Sequence, residues 1–128
     1  MQISNLEQLE SFTTLDGSGI RELAGPAWTA VRNQSLAEAT VPAGGETVEH
    51  FHHKSEEIYY FTAGRGRMRL GDEEADVTAG DCVVIPPGTR HKLWAGADQD
   101  LVLLCCCAPA YSDADTEMTE SATPKQAH

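Results

Sequence analysis

The sequence predicts an all-β fold, a sandwich or barrel of short strands. Three observations carry that prediction. Turn signals recur every few residues: LDGSG at 15–19, AGP at 24–26, PAGG at 42–45, AGRG at 63–66, LGDEE at 70–74, TAGD at 78–81, PPGT at 86–89 and AGAD at 95–98. Between them lie segments rich in β-branched, aromatic and apolar residues. None of the middle segments offers a helical apolar period of useful length.

The 128 residues fit one domain and leave no room for a second core. Residues 1–25 read as a lead-in of strands or a short helix. Residues 26–111 form the strand-rich body, with strands expected at 32–40 (RNQSLAEAT), 57–61 (EIYYF), 81–85 (DCVVI) and 101–107 (LVLLCCC). Residues 112–128, SDADTEMTESATPKQAH, are acidic and polar with one sizeable apolar residue, Met118. They are expected to form a frayed tail or a strap over the surface.

Charge narrows the function. Twenty acidic residues oppose nine basic ones, a net charge of −11. Nucleic-acid binding needs clustered Lys and Arg to neutralise phosphate, and an anionic membrane surface would repel this chain, so neither partner is expected. The first ten residues, MQISNLEQLE, lack a basic start followed by an apolar stretch. The four cysteines are Cys82 and the run Cys105, Cys106 and Cys107, neither a disulfide framework nor a CxxC pair. A reducing cytoplasm is the expected location.

The densest chemistry is HFHHKSEE at 50–57. In a strand His50 and His52 share a face, about 6–7 Å apart along the backbone, while Phe51 points to the other, packed face. His53 to Glu56 read as a polar turn. If the strand beginning at Glu57 returns antiparallel, Glu57 faces the two imidazoles across the sheet. Two imidazoles and a carboxylate suit a transition metal: iron, manganese, nickel, copper, cobalt or zinc. The plainer alternative is a solvated edge hairpin. GDCVVIPPGTRH at 80–91 then places His91 just after a rigid Pro-Pro-Gly corner, where it is a plausible fourth ligand.

With both segments in view, the chain resembles a small single-domain cupin of the conserved-barrel type. The family's first motif, G-x5-H-x-H-x(3,4)-E-x6-G, is matched by Gly44, His50, His52, Glu57 and Gly64. The second, G-x5-P-x-G-x2-H-x3-N, is matched by Gly80, Pro86, Gly88 and His91, with Ala95 in place of the asparagine. The resemblance implies a double-stranded β-helix, or jelly-roll, barrel. It also implies one divalent transition metal per chain, held by His50, His52, Glu57 and His91. The motif spacing selects Glu57 over Glu56, and His53 falls on the solvent side by parity.

Four ligands on a six-coordinate metal leave up to two positions for a small-molecule substrate, water or dioxygen. The expected function is therefore a metal-dependent enzyme acting on a small oxygen-bearing organic molecule. Dioxygenase-type oxidoreductase chemistry stands ahead of a non-redox isomerase, cyclase or lyase. A non-catalytic small-ligand-binding cupin is the alternative.

Tyr59 and Phe61 share the face of Glu57, so Tyr59 is the candidate catalytic residue beside the metal, with simple volume filling as its competing role. Leu93 shares the face of His91, whereas Arg90 and Lys92 alternate outward. Arg65, Arg67 and Arg69 read as an outward row balancing acids on neighbouring strands. Cys105 and Cys107 share one face and Cys106 the other, and parity does not say which is internal. Gln34 or Ser35 could reach the cavity. An open jelly-roll edge gives a motive for a homodimer.

Overall fold

The computed structural model describes residues 1–120. Its strands, in chain order, are β1 (Phe12–Thr13), β2 (Gly19–Ala24), β3 (Ser35–Val41), β4 (His50–His52), β5 (Glu56–Ala63) and β6 (Arg65–Leu70). They continue with β7 (Glu73–Thr78), β8 (Cys82–Ile85), β9 (His91–Ala95), β10 (Leu101–Ala108) and β11 (Thr116–Met118). Short 3-10 turns at Leu6–Gln8 and Asp113–Asp115 are the helical pieces, and no α-helix occurs among the described residues. No helix there is long and apolar enough to cross a membrane.

The strands form two sheets in jelly-roll fashion. One has the order β1-β2-β3-β10-β5-β8 and the other β11-β4-β9-β6-β7, with every pairing antiparallel. Alternation decides what each strand buries. On β5 the residues Glu57, Tyr59 and Phe61 are buried, while Glu56, Ile58 and Tyr60 are exposed. Phe61, Ile85, Leu101, Leu103 and Val41 close the core between the sheets, each at 1% exposure or less. Ala95, at the motif's asparagine position, also packs in this core.

Two tight corners position the rest. Gly64 alone links β5 to β6, with φ at +83°. A Cβ there would lie 2.2 Å from the Asp100 carbonyl oxygen, so no side chain fits. At the Pro-Pro-Gly corner the Gly88 amide donates to the His52 carbonyl at 2.7 Å, tying the approach to His91 onto the strand that carries His50 and His52.

The sheets recruit strands beyond the expected 26–111 body. β1 and β2 precede it, and β11, inside the expected tail, pairs with β4. Within the expected tail, 116–118 form β11, whereas 121–128 lie outside the described residues. A second difference concerns Glu57. β4 and β5 belong to opposite sheets, so Glu57 meets the histidines across the barrel interior rather than from a neighbouring strand. The polar link 53–55 crosses between sheets, and a hairpin is not formed there.

Candidate metal centre

The local sequence sets the site. His50 and His52 point inward from β4 on either side of half-buried Phe51, and His91 pairs directly with His50 at the head of β9. The three imidazoles are 4%, 3% and 0% exposed. One ring nitrogen from each lies within 4.8 Å of the others.

Hydrogen bonds determine which nitrogen each ring offers. His50 Nδ1 lies 2.8 Å from the Val48 carbonyl and His91 Nδ1 lies 3.0 Å from the Thr89 carbonyl. A carbonyl only accepts, so both rings must donate from Nδ1. The Thr116 hydroxyl donates its one proton to the Ser112 carbonyl, and its oxygen therefore accepts from His52 Nδ1 at 2.9 Å. With Nδ1 protonated three times over, the neutral rings present three Nε2 lone pairs. Burial and the neighbouring His91 push the His50 pKa down, which favours its neutral form.

Glu57 completes the arrangement from β5. Burial opposes its ionisation, and hydrogen bonds and positive charge from the His52 and His91 rings hold its carboxyl down to about 2; with their Nε2 atoms unprotonated, a bound cation must take over that role. Its Oε1 stands 3.1 Å from His52 Nε2 and 3.5 Å from His91 Nε2. Buried His91 Nε2 has no hydrogen-bond partner among the described residues. An ionised oxygen facing nitrogen lone pairs in a dry interior is repulsive unless a cation lies between them. Three pinned imidazoles and a carboxylate fit a divalent transition metal, and the Nδ1 contacts match the outer support that metal-binding histidines need. Protonating the rings instead would bury adjacent positive charges.

A cavity of about 80 Å³ opens beside this group, with predominantly apolar walls. Tyr59 lines it, its ring 5.8 Å from that of His91, and burial together with the Glu57 charge pushes its pKa well above the usual phenol value. It is a hydrogen-bond donor at any ordinary pH. Leu93 and Ser35 also line the cavity, whereas Gln34 is exposed. β10 turns Cys105 and Cys107 inward, opposite Tyr59 and Glu57 respectively, which settles the face that parity left open. Cys107 Sγ donates to Glu57 Oε2 at 3.2 Å.

Other residues fall as follows. His53 and Glu56 are exposed, and Arg67 pairs with Glu74 and Asp76 on the adjacent strand. Arg90 is exposed, but Lys92 departs from expectation. It does leave the cavity face, yet it is 6% exposed, sandwiched against Trp94 and ion-paired with Glu46 and Glu120. The chain after β11 covers it.

Asp16, Tyr111 and Thr116 are site residues that the sequence did not flag. Asp16 enters the cavity from the LDGSG turn, where Thr14 Oγ1, Ser18 N and Ser18 Oγ all donate to its Oδ1. Its Oδ2 has no hydrogen-bond partner among the described residues. The Asp-Gly-Ser signal marks a turn and says nothing of the wall that turn touches. Thr116 comes from the segment expected to be surface tail, and Tyr111 is the last residue of the expected body.

A β-barrel with a buried three-histidine group compatible with a metal defines the class of protein. The chain belongs to the cupin family: the Cupin domain description matches residues 37–107. It is 46% identical to the uncharacterized protein MJ1618 of Methanocaldococcus jannaschii, over 89% of this chain and 91% of that one. It is 28% identical to protein SchB of Streptomyces halstedii, over 84% and 82% of the two chains. Among solved structures, the polyketide cyclase RemF of Streptomyces resistomycificus superposes with a TM-score of 0.81 at 20% identity, covering 95% of this chain and 87% of that one. The nucleoside dehydratase Pac13 superposes at 0.78 and 20% identity, covering 98% and 96%. At such identities the likeness extends to the fold.

Proposed function

We propose that this protein is a metal-dependent cupin enzyme whose centre, His50, His52, His91 and Glu57, holds one divalent transition metal. Its substrate is a small organic molecule with an apolar body and a metal-seeking oxygen. The observation that carries this reading is the buried Glu57 carboxyl oxygen facing the Nε2 atoms of His52 and His91, whose ring protons are committed elsewhere. A bound metal supplies a Lewis acid for the substrate oxygen.

The chain's own residues supply the rest. Ile20, Val41, Leu93 and Leu103 line the cavity, exclude water and receive the carbon skeleton. Tyr59 donates a hydrogen bond from the β5 wall, and the Asp16 carboxylate enters the same cavity from the LDGSG turn. The two inward thiols favour non-redox isomerase, cyclase or lyase chemistry over the dioxygenase chemistry that the motifs alone put first. Dioxygen activated in this cavity would meet Cys105 and Cys107 before leaving. The cyclase and dehydratase folds noted above support this as analogy. Four free cysteines support a reducing, cytoplasmic setting.

The test compares metal-stripped and metal-loaded protein against a panel of hydroxylated and carbonyl compounds, read by NMR and an oxygen electrode. The expected result is metal-dependent conversion without oxygen uptake. Oxygen uptake coupled to conversion would restore the dioxygenase reading. Binding without conversion in either form would make the protein a small-ligand carrier.

A further inference from the structure

The cavity walls carry acidic groups without a basic counterpart. Asp16, Glu22 and Glu57 line the cavity, and among the described residues no Lys or Arg does. The nearby cations are turned away and paired. Arg21, adjacent to Glu22 in sequence, faces the other side of β2 and pairs with Glu38. Arg69 pairs with Glu49, and Lys92 with Glu120.

Both carboxylates outside the metal centre are held in place. Asp16 Oδ1 accepts from Thr14 Oγ1, Ser18 N and Ser18 Oγ, and the Asp16 carbonyl accepts from the Val48 amide at 2.8 Å. The Val48 carbonyl in turn accepts from His50 Nδ1, so one residue ties the Asp16 turn to a ring of the metal centre. Glu22 lies further along the cavity. The inward row Tyr59, Cys105, Ala37 and Glu22 runs in direct register across β5, β10, β3 and β2. Three strand spacings, about 14 Å, separate Glu22 from Tyr59. Glu22 Oε1 accepts from Trp28 Nε1 at 2.7 Å, which fixes the carboxylate there.

We propose that Asp16, with Glu22 beyond it, sets the charge specificity of the cavity, which takes an uncharged substrate bearing a hydroxyl or amide N–H and rejects carboxylates and phosphates. The proposal rests on the reading above, that this cavity receives the substrate of a metal centre, and names the class of that substrate. A divalent metal with Glu57 leaves one positive charge at the centre, enough to draw an anion into an otherwise neutral cavity. Two further carboxylates outweigh it, and a third anion entering a poorly solvated space beside Asp16 is repelled. The net charge of −11 opposes an anion on approach as well. A cation is repelled at the metal end. A hydroxyl or amide N–H instead finds an acceptor in Asp16. Selection of this kind works by repelling the wrong ligand rather than by fitting the right one more closely.

Titration calorimetry of the full chain with protocatechuamide and protocatechuate tests the proposal. The two share a shape and a metal-seeking catechol, and differ by one charge at the other end. Zinc-loaded and metal-stripped protein are both titrated. Wild type is expected to bind the amide more tightly in each form. Asp16→Asn keeps the Oδ1 acceptor of the turn and removes the charge, and should narrow that preference by about 10-fold or more. Asp76→Asn removes an equal charge from an exposed position outside the cavity and should leave the preference unchanged. If circular dichroism shows that Asp16→Asn does not fold, Glu22→Gln carries the same expectation. A wild type that favours the carboxylate would overturn the proposal, as would a preference unmoved by the Asp16 and Glu22 substitutions, or failure of the amide to bind either form. A protein that takes up no zinc yet keeps the Asp16-dependent preference would overturn the metal reading and sustain this one.

Discussion

Thr116→Val probes the metal centre without touching a ligand. The substitution keeps shape and removes the oxygen that accepts from His52 Nδ1 at 2.9 Å. His52 is 3% exposed, so water does not replace that oxygen. An unpaired buried donor costs about 1–3 kcal/mol. The metal-free protein escapes part of the cost by turning the ring so that its proton reaches Glu57. The loaded protein has no such freedom, because Nε2 must stay inward. The difference appears as lost affinity, on the order of 10–100-fold for outer-shell partners of metal-bound histidines. Competition against a chromophoric chelator measures it, with Thr116→Ser as the variant that keeps the hydroxyl. Thr116→Val binding metal as tightly as wild type would refute the tautomer assignment on which the centre rests.

Further outcomes follow from other parts of the molecule. Phe61→Ala, at a 0% exposed core position, should cost about 3–5 kcal/mol in urea denaturation. Asp16→Ala strips the turn of an acceptor for three donors and should lower stability by about 1–3 kcal/mol in urea denaturation. For Asp115, burial alone would raise the pKa, but the Ser55 and Lys54 amides donate to its carboxylate and hold it below the usual range. The folded state therefore binds this proton less readily than the unfolded chain does. Its contribution to stability is present above the ordinary carboxylate range and is lost as pH falls through the folded value. Acid titration of unfolding should show that loss in wild type and a flatter profile in Asp115→Asn.

The barrel and the histidines were legible because they depend on local rules. Alternation alone put His50 with His52 and Glu57 with Tyr59, and the Pro-Pro-Gly corner marked His91. What escaped was set by chain segments distant in sequence. Glu57 sits in the opposite sheet because the 53–55 link crosses the barrel, and no period within HFHHKSEE records that. Lys92 faces outward as its parity requires, yet it is buried over Trp94 and paired with Glu120, 28 residues later. Asp16 and Thr116 reach the site from turn and tail sequences whose local signals describe only their own backbone. The inward face of the cysteine run had no local signal at all; it was decided by β10 pairing with β5 in the register that sets Cys107 opposite Glu57.

Nitrogen-15 NMR of the histidine rings during titration of metal-stripped protein with zinc tests the centre most directly. The account predicts saturation at one equivalent per chain, with Nδ1 protonated and Nε2 shifted by the metal in His50, His52 and His91 together, and loss of that response in Glu57→Ala or His52→Ala. Rings carrying their protons on Nε2, or zinc taken up with these three signals unmoved, would contradict it.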